Sequence, residues 1–351
     1  MIGRRRSNSG ISFSMIRLAY FHASRRFITI PKSQVRGFSI RHITHTPTPK
    51  FSLRCAVLQP RIDQRLLHSA SGMAALQRQS DWSAAQYLKF GNERTRAVYD
   101  LVSQIRPHVH SSNPRIYDLG CGPGNSTQVL FEAFPGANVT GMDSSPDMLQ
   151  RARQTLQNVE FVHGDLATFE PREADLLFSN AVFHWLRSGA RIATLRRLFM
   201  GLRSGGVLAI QVPDNYHAPS HALMREVAAM DDAPWYTYFV DTQIGSLDDV
   251  SRPDLDPIES PVDFYNALIP SAQSVNIWRT EYHHVLSDAQ EIAEWVKGTG
   301  LQPYLHRIHD EETKNAFLEE YKERLAEAYP QLADGRVLLG YPRLFVVAVR
   351  M

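Results

Sequence analysis

The sequence predicts an α/β protein built on a doubly wound, mostly parallel sheet. Three observations carry this. Residues 116–127 (IYDLGCGPGNST) read as a short apolar strand, a turn with glycines at 120, 122 and 124, and a polar helix start. From residue 79 onward, apolar runs alternate with segments of helical period. Acids stand at the ends of successive runs, at Asp118, Asp143 and Asp165, where an open parallel sheet gathers its ligands.

Residues 80–105 are a helical lead-in, with Tyr87, Val98, Leu101 and Ile105 at helical spacing. RIYDLG (115–120) is the first strand, and helix 125–134 stops at Pro135-Gly136. ANVTGMD (137–143) is the second strand. Helix 146–157 opens on Ser144, Ser145 and Pro146, a polar cap followed by proline in the first turn. VEFVHGD (159–165) is the third strand. ADLLFSNAVFHWL (174–186) begins as a fourth, continuously apolar as a strand covered on both faces should be. Helix 190–203 and a Gly205-Gly206 turn lead to the fifth, VLAIQVPDN (207–215). A helix near 219–230 follows. Residues 231–263 hold nine acids against Arg252 alone and read as an exposed loop or lid edge. VNIWRTEYHHVL (275–286) and VLLGYPRLFVVAVR (337–350) are the last strands, with helices near 287–298 and 310–329 between them. The expectation is a seven-stranded sheet with helices on both faces and a helical cap drawn from about 216–274 and 287–330.

Charge divides the chain. Residues 1–78 hold 14 of the 38 basic residues and one acid, Asp63. The other 24 basic and 35 acidic residues give 79–351 a net charge of −11, which counts against a nucleic-acid partner. The extension is Arg- and Ser-rich, with no acid before Asp63, the composition of a mitochondrial transit peptide. A matrix location follows if it is used, and a cytoplasmic one if translation starts at Met73. No run of 18 apolar residues is present, so no membrane partner is expected. Two cysteines, Cys55 and Cys121, cannot build a disulfide framework or a zinc site, and no metal is expected. The sequence leaves the oligomeric state open.

The glycine loop narrows the ligand. A dinucleotide fingerprint needs glycine at 125, where Asn125 stands, and a phosphate loop needs a lysine, absent between 90 and 160. Asp118 at the loop entrance repels phosphate and suits a cationic ligand. DLGCGPG resembles the first motif of class I S-adenosylmethionine-dependent methyltransferases, whose cofactor carries an amine and a sulfonium. That resemblance implies a Rossmann-like fold, with Asp118, Gly120, Gly122 and Gly124 around the cofactor. Asp143, 23 residues after Gly120, can accept from ribose hydroxyls or cap a helix. Asp165 can take an adenine amino group or cap a turn. Asn180 and Ala181 border the amino-acid end. His184 and Trp185 come next, as orienting contacts or as packing; an aromatic face attracts a sulfonium by ~0.5–2 kcal/mol.

Further blocks narrow the resemblance. GMDSSPDML (141–149), VPDNYHAPSHALMREVA (212–228), IWRTEYHH (277–284), EWVKGTGLQPYL (294–305) and GYPRLFVVAVR (340–350) together resemble trans-aconitate methyltransferases over 80–351. The family implies methyl transfer to a carboxylate of a small tricarboxylic acid. Such a carboxylate is ionised at neutral pH and needs no general base; alignment alone can supply up to ~7–11 kcal/mol. Its other carboxylates call for cationic anchors, for which Arg225, Arg279 and Arg343 are candidates, with Tyr282, His283 and His284 beside them. Another small acid such as isopropylmalate is the alternative acceptor. A non-catalytic assembly factor is disfavoured by the intact loop. A nucleic-acid methyltransferase is disfavoured by SNAVFHW, which stands where an Asn-Pro-Pro-aromatic run is expected.

Overall fold

The computed structural model describes residues 89–351, apart from the side chain of Asn92; the extension 1–78 and residues 80–88 of the helical lead-in lie outside them. The seven strands are β1 (Arg115–Leu119), β2 (Asn138–Asp143), β3 (Glu160–His163), β4 (Ala174–Asn180), β5 (Leu202–Pro213), β6 (Ala272–Leu286) and β7 (Val337–Arg350). They form one sheet in the order β3-β2-β1-β4-β5-β7-β6. All neighbours are parallel except β7, which runs antiparallel to both β5 and β6. The strand order reverses between β1 and β4, so the crevice for a ligand opens beyond their carboxyl ends.

Alternation along each strand builds two apolar layers. Leu176 and Phe178 of β4, with Phe345 and Val347 of β7, face α1 (Gly91–Ile105) and α2 (Asn125–Ala133). Leu177 of β4, with Leu344 and Val346 of β7, faces α4 (Ser188–Gly201) and α7 (Pro261–Leu268). The short helix α3 (Pro146–Thr155) closes the far edge over Cys121 and Phe161. Its cap is as expected: Ser145 accepts from the Met148 N–H at 3.2 Å, and Pro146 fills the first position. The start of α2 has no such side-chain cap. Gly124, with φ +99°, holds that place, and Ser126 turns away toward Asp118.

A third apolar core makes the cap. β6 and β7 keep pairing beyond Pro213, the last β5 residue in register, from Glu281↔Pro342 to Leu286↔Val337. On this overhanging ribbon sit α5 (Pro219–Ala228), the single turns α6 (Tyr236–Phe239) and α9 (Gln302–Leu305), α8 (Ala289–Lys297) and α10 (Glu311–Ala328). Trp295, Phe317 and Tyr321 are fully enclosed there.

Two expectations are corrected. The cap does not reach residue 274: α7 buries Phe264 and Leu268 in the sheet layer, and Ala272 already begins β6. Nor is 231–263 an exposed loop along its whole length. Arg252, Asp254 and Asp256 are only 2%, 3% and 5% exposed, because the acids pair with arginines brought in from elsewhere.

Candidate active site

Backbone bonds shape the glycine loop. Gly120 and Cys121 both donate to the Met142 carbonyl, at 2.7 and 2.9 Å. Gly120 has φ +76°, and a Cβ there would lie 2.2 Å from Val182 Cγ2. Only glycine permits that approach. At the tip of β2, Asp143 accepts from Gly122 N–H at 2.8 Å and Ser145 N–H at 2.9 Å. It ties the loop to the start of α3.

Asp118 braces the loop from beneath. Its Oδ2 accepts from the Ser126 and Thr127 hydroxyls at 2.7 and 2.6 Å, while its buried Oδ1 has no protein partner. Burial pushes its carboxyl up to about 6, against the two hydroxyl bonds, and Asp143 adds to the rise. Asn180, at the end of β4, also carries a buried oxygen without a partner. It faces the same cavity as Gly120 and Gly122, which Arg94, Thr95 and Val98 of α1 close from the other side. Asp165 is exposed beyond β3 and accepts from Ala167 N–H at 2.8 Å, so it caps a turn and keeps one oxygen outward.

After Asn180 the chain turns sharply. Ala181 has φ +58°, a left-handed conformation held by its N–H bond to the Gln211 carbonyl at 2.8 Å. The turn Phe183–Trp185 follows. Arg191 brackets it, donating from Nε to the Phe183 carbonyl at 3.1 Å and from a terminal nitrogen to the Leu186 carbonyl at 2.8 Å. His184 faces a cleft beyond β5, lined also by Pro213, Asn215 and Tyr216. Trp185 packs on the His184 ring, centroids 4.9 Å apart, and does not line the cleft.

Across from His184, Tyr216, His221 and Arg225 form one wall, with Tyr304 of α9. Burial, reinforced by Arg191 and Arg343, lowers His184 to about 3; burial and Arg225 lower His221 to about 3. Both rings are therefore neutral at pH 7. Asn215 Nδ2 lies 3.1 Å from His221 Nε2, and Ser220 Oγ 3.1 Å from its Nδ1. The pairing makes Nε2 the acceptor and Nδ1 the protonated nitrogen.

The opposite wall is a strap, residues 250–259. Arg187 donates to the carbonyls of Asp254 (2.7 Å), Arg252 (2.8 Å) and Val250 (3.2 Å) and to Asp256 Oδ1 (3.1 Å). Arg191 adds Glu259 at 2.6 Å and the Pro257 carbonyl at 3.0 Å. Arg252, fully enclosed, pairs with Asp256 and lies 3.3 Å from Asp254. Asp254 and Asp256 line the cleft with Leu255 and Ile258. Arg225 lines the cleft with Asp254 and Asp256, and Arg187 and Arg252 behind the strap pair with Asp256 while Arg191 pairs with Glu259.

The predicted arginines separate. Arg343 is buried level with the end of β5, opposite Pro213. It donates to Gln211 Oε1 at 3.0 Å and lies 5.0 and 5.8 Å from the Tyr341 and Tyr282 ring centres. Arg225 lines the cleft. Arg279 does not join them: it is half exposed on β6 and pairs with Asp214 at 2.8 Å. Tyr282 faces Arg343, but its hydroxyl donates to Asp100 at 2.5 Å. His283 is exposed on the opposite face of β6, because successive strand residues alternate; its buried neighbour His284 packs on Trp295. Sequence reasoning passed over Arg94, Tyr216, His221, Tyr304 and the strap. His221 and Arg225 stand four apart on α5, the one spacing that could have marked a shared face. Among the described residues no group of three or more His, Cys, Asp or Glu is placed to hold a metal, and no helix is long and apolar enough to cross a membrane.

A family model for a methyltransferase domain matches residues 116–206, from β1 into β5. Loop, strand order and match together define a class I methyltransferase. Curated relatives narrow the family. A trans-aconitate 2-methyltransferase from Agrobacterium fabrum is 48% identical over 270 residues, covering 77% of this chain and 99% of that protein. Proteins of the same name from Rhizobium etli and Rhodopseudomonas palustris are 46% and 45% identical, over 77% of this chain and 99% and 100% of theirs. The chain belongs to the trans-aconitate 2-methyltransferase family.

Proposed function

We infer that the protein transfers a methyl group from S-adenosylmethionine to a carboxylate of trans-aconitate, giving a monomethyl ester. The observation that carries this is near-half identity along the whole length of relatives bearing that activity in their name.

The loop residues fit the donor. The partnerless oxygens of Asp118 and Asn180 suit an ammonium group, and a Cβ at Gly122 would meet no protein atom within 4 Å. Asp143 at the tip of β2 and the exposed Asp165 beyond β3 are the carboxylates that would meet the ribose hydroxyls and the adenine amino group. When bound, the donor supplies an electrophilic methyl group on sulfur. The protein's part is placement. The acceptor is already an anion, so no side chain has to remove a proton. Arg225 and Arg343 anchor the carboxylates that do not react. His184, being neutral, offers a polar edge without adding charge, while Asn215 and Ser220 take up both ring nitrogens of His221 and fix its ring in the wall.

The test is incubation of the protein with labelled donor and a panel of organic acids, read by mass spectrometry. Trans-aconitate should gain one methyl group and far outpace isopropylmalate. Preference for isopropylmalate would replace the acceptor, and labelling of no acid would overturn the reading. Residues 1–78 are proposed as a mitochondrial targeting segment. N-terminal sequencing of the protein from its native cells should begin downstream of it, and an intact Met1 would reject that role.

A further inference from the structure

We propose that Tyr216 is the positioning residue of the acid-binding cleft, holding the Arg225 guanidinium in place through its ring face. The proposal rests on the reading of Arg225 as a carboxylate anchor and goes beyond it.

Arg225 is a long side chain at the cleft wall, and an unrestrained arginine loses rotamer freedom when a ligand fixes it. Here that freedom is already removed. The guanidinium carbon lies 3.8 Å from the centre of the Tyr216 ring, well inside the ~6 Å reach of a cation–π contact. One terminal nitrogen donates to the Tyr216 carbonyl at 2.9 Å and the other to the His221 carbonyl at 3.1 Å. These donors go to backbone carbonyls, so the bonds orient the guanidinium without pairing it to a carboxylate, and Asp254 of the strap is the acid that feels its charge.

The support beneath is rigid. The His221 ring is held between Asn215 and Ser220. Ser220 in turn receives the Tyr321 hydroxyl on its carbonyl at 2.6 Å and gives its N–H to the Tyr329 hydroxyl at 3.1 Å. Both tyrosines belong to the enclosed core of the cap. Arg225 therefore has a stacked face above and a braced helix start below. The arrangement presents a flat, charged fork to a planar carboxylate.

The ring, not the hydroxyl, makes the contact with Arg225. Tyr216→Phe should match the parent within about twofold. Tyr216→Leu removes the face but keeps the backbone carbonyl. It should raise KM for trans-aconitate roughly tenfold, the size of a partly desolvated cation–π contact, with kcat and donor affinity unchanged. Tyr216→Gln serves if the leucine variant does not fold. Arg225→Gln is measured alongside. If it leaves KM unaltered, the anchor role of Arg225 falls, and the proposal with it. If it raises KM while Tyr216→Leu and Tyr216→Gln do not, the proposal alone is overturned. Equal losses in the phenylalanine and leucine variants would assign the effect to the hydroxyl and also overturn it.

Discussion

The two halves of the site are built on different plans. The loop half uses backbone N–H groups and carboxylates, and every bond within it joins residues about 20 apart or fewer, as in Asp118 with Thr127 and Asp143 with Gly122. The cleft half uses guanidinium groups, and its strap is held by bonds that join distant segments: Arg187 with Asp256 and Arg191 with Glu259. The first plan suits a small cation at an acidic edge. The second brings arginines from elsewhere in the chain to a buried wall. The loop is set by close approach and the strap by long-range pairing, and they should fail differently.

The largest effect is expected at Gly120. Gly120→Val forces a β-branched side chain into φ +76° and onto Val182. It should cost at least ~3 kcal/mol in strain and overpacking, and calorimetry should detect no donor binding. Gly120→Ala paired with Val182→Ala should recover part of it, because the clash is relieved and the backbone strain is not. Full activity in Gly120→Val would end the close-approach account. Next comes Arg252→Ala, which leaves Asp254 and Asp256 buried with less compensation. Chemical denaturation should show a loss of ~3–5 kcal/mol. In the folded fraction, affinity for the acid should drop while donor affinity holds. Equal loss of both would erase the division between the halves.

Arg343→Ala is expected to be milder. It should raise KM for trans-aconitate about 10- to 100-fold, the worth of one or two charge-assisted hydrogen bonds, with little change in donor affinity. An unchanged KM would remove Arg343 from the acid site.

The smallest effect separates the halves by pH. His184 and His221 are lowered to about 3 from 6.5, and His284 to about 4. Between those values the folded chain binds fewer protons than the unfolded one. The stability they contribute is present above about 6.5 and lost as pH falls toward 3. Asp118 has the opposite sign: raised to about 6 from 3.8, its burial costs stability as pH rises through that interval. Three groups outweigh one, so Tm should fall on acidification from 6.5 to 4. His221→Gln should flatten the slope; an unchanged slope would show that the cleft does not hold that ring neutral.

The same contrast explains what could be read from sequence. Strand tips, the glycine loop and Asp143 are local features, and each leaves a short motif. Arg279 shows the limit: on an edge strand its direction depends on register, and the structure turns it to Asp214. The strap was misread because acids and prolines look solvated when their partners are unseen. Arg187 and Arg191, more than 60 residues away, convert them into a buried wall. Tyr216 left no signal at all, since its role exists only where the turn after β5 folds its ring over α5.

The overhang of β6 and β7 has a further consequence. Glu281–Leu286 and Val337–Pro342 form a stem, with the apolar core of the cap seated on it and the parent sheet left below. The cap is nevertheless not separable from the methyl-donor half: Arg94, which lines the glycine-loop cavity, donates to the Trp295 carbonyl at 2.9 Å, so a change in the helix 289–297 would be felt at the donor.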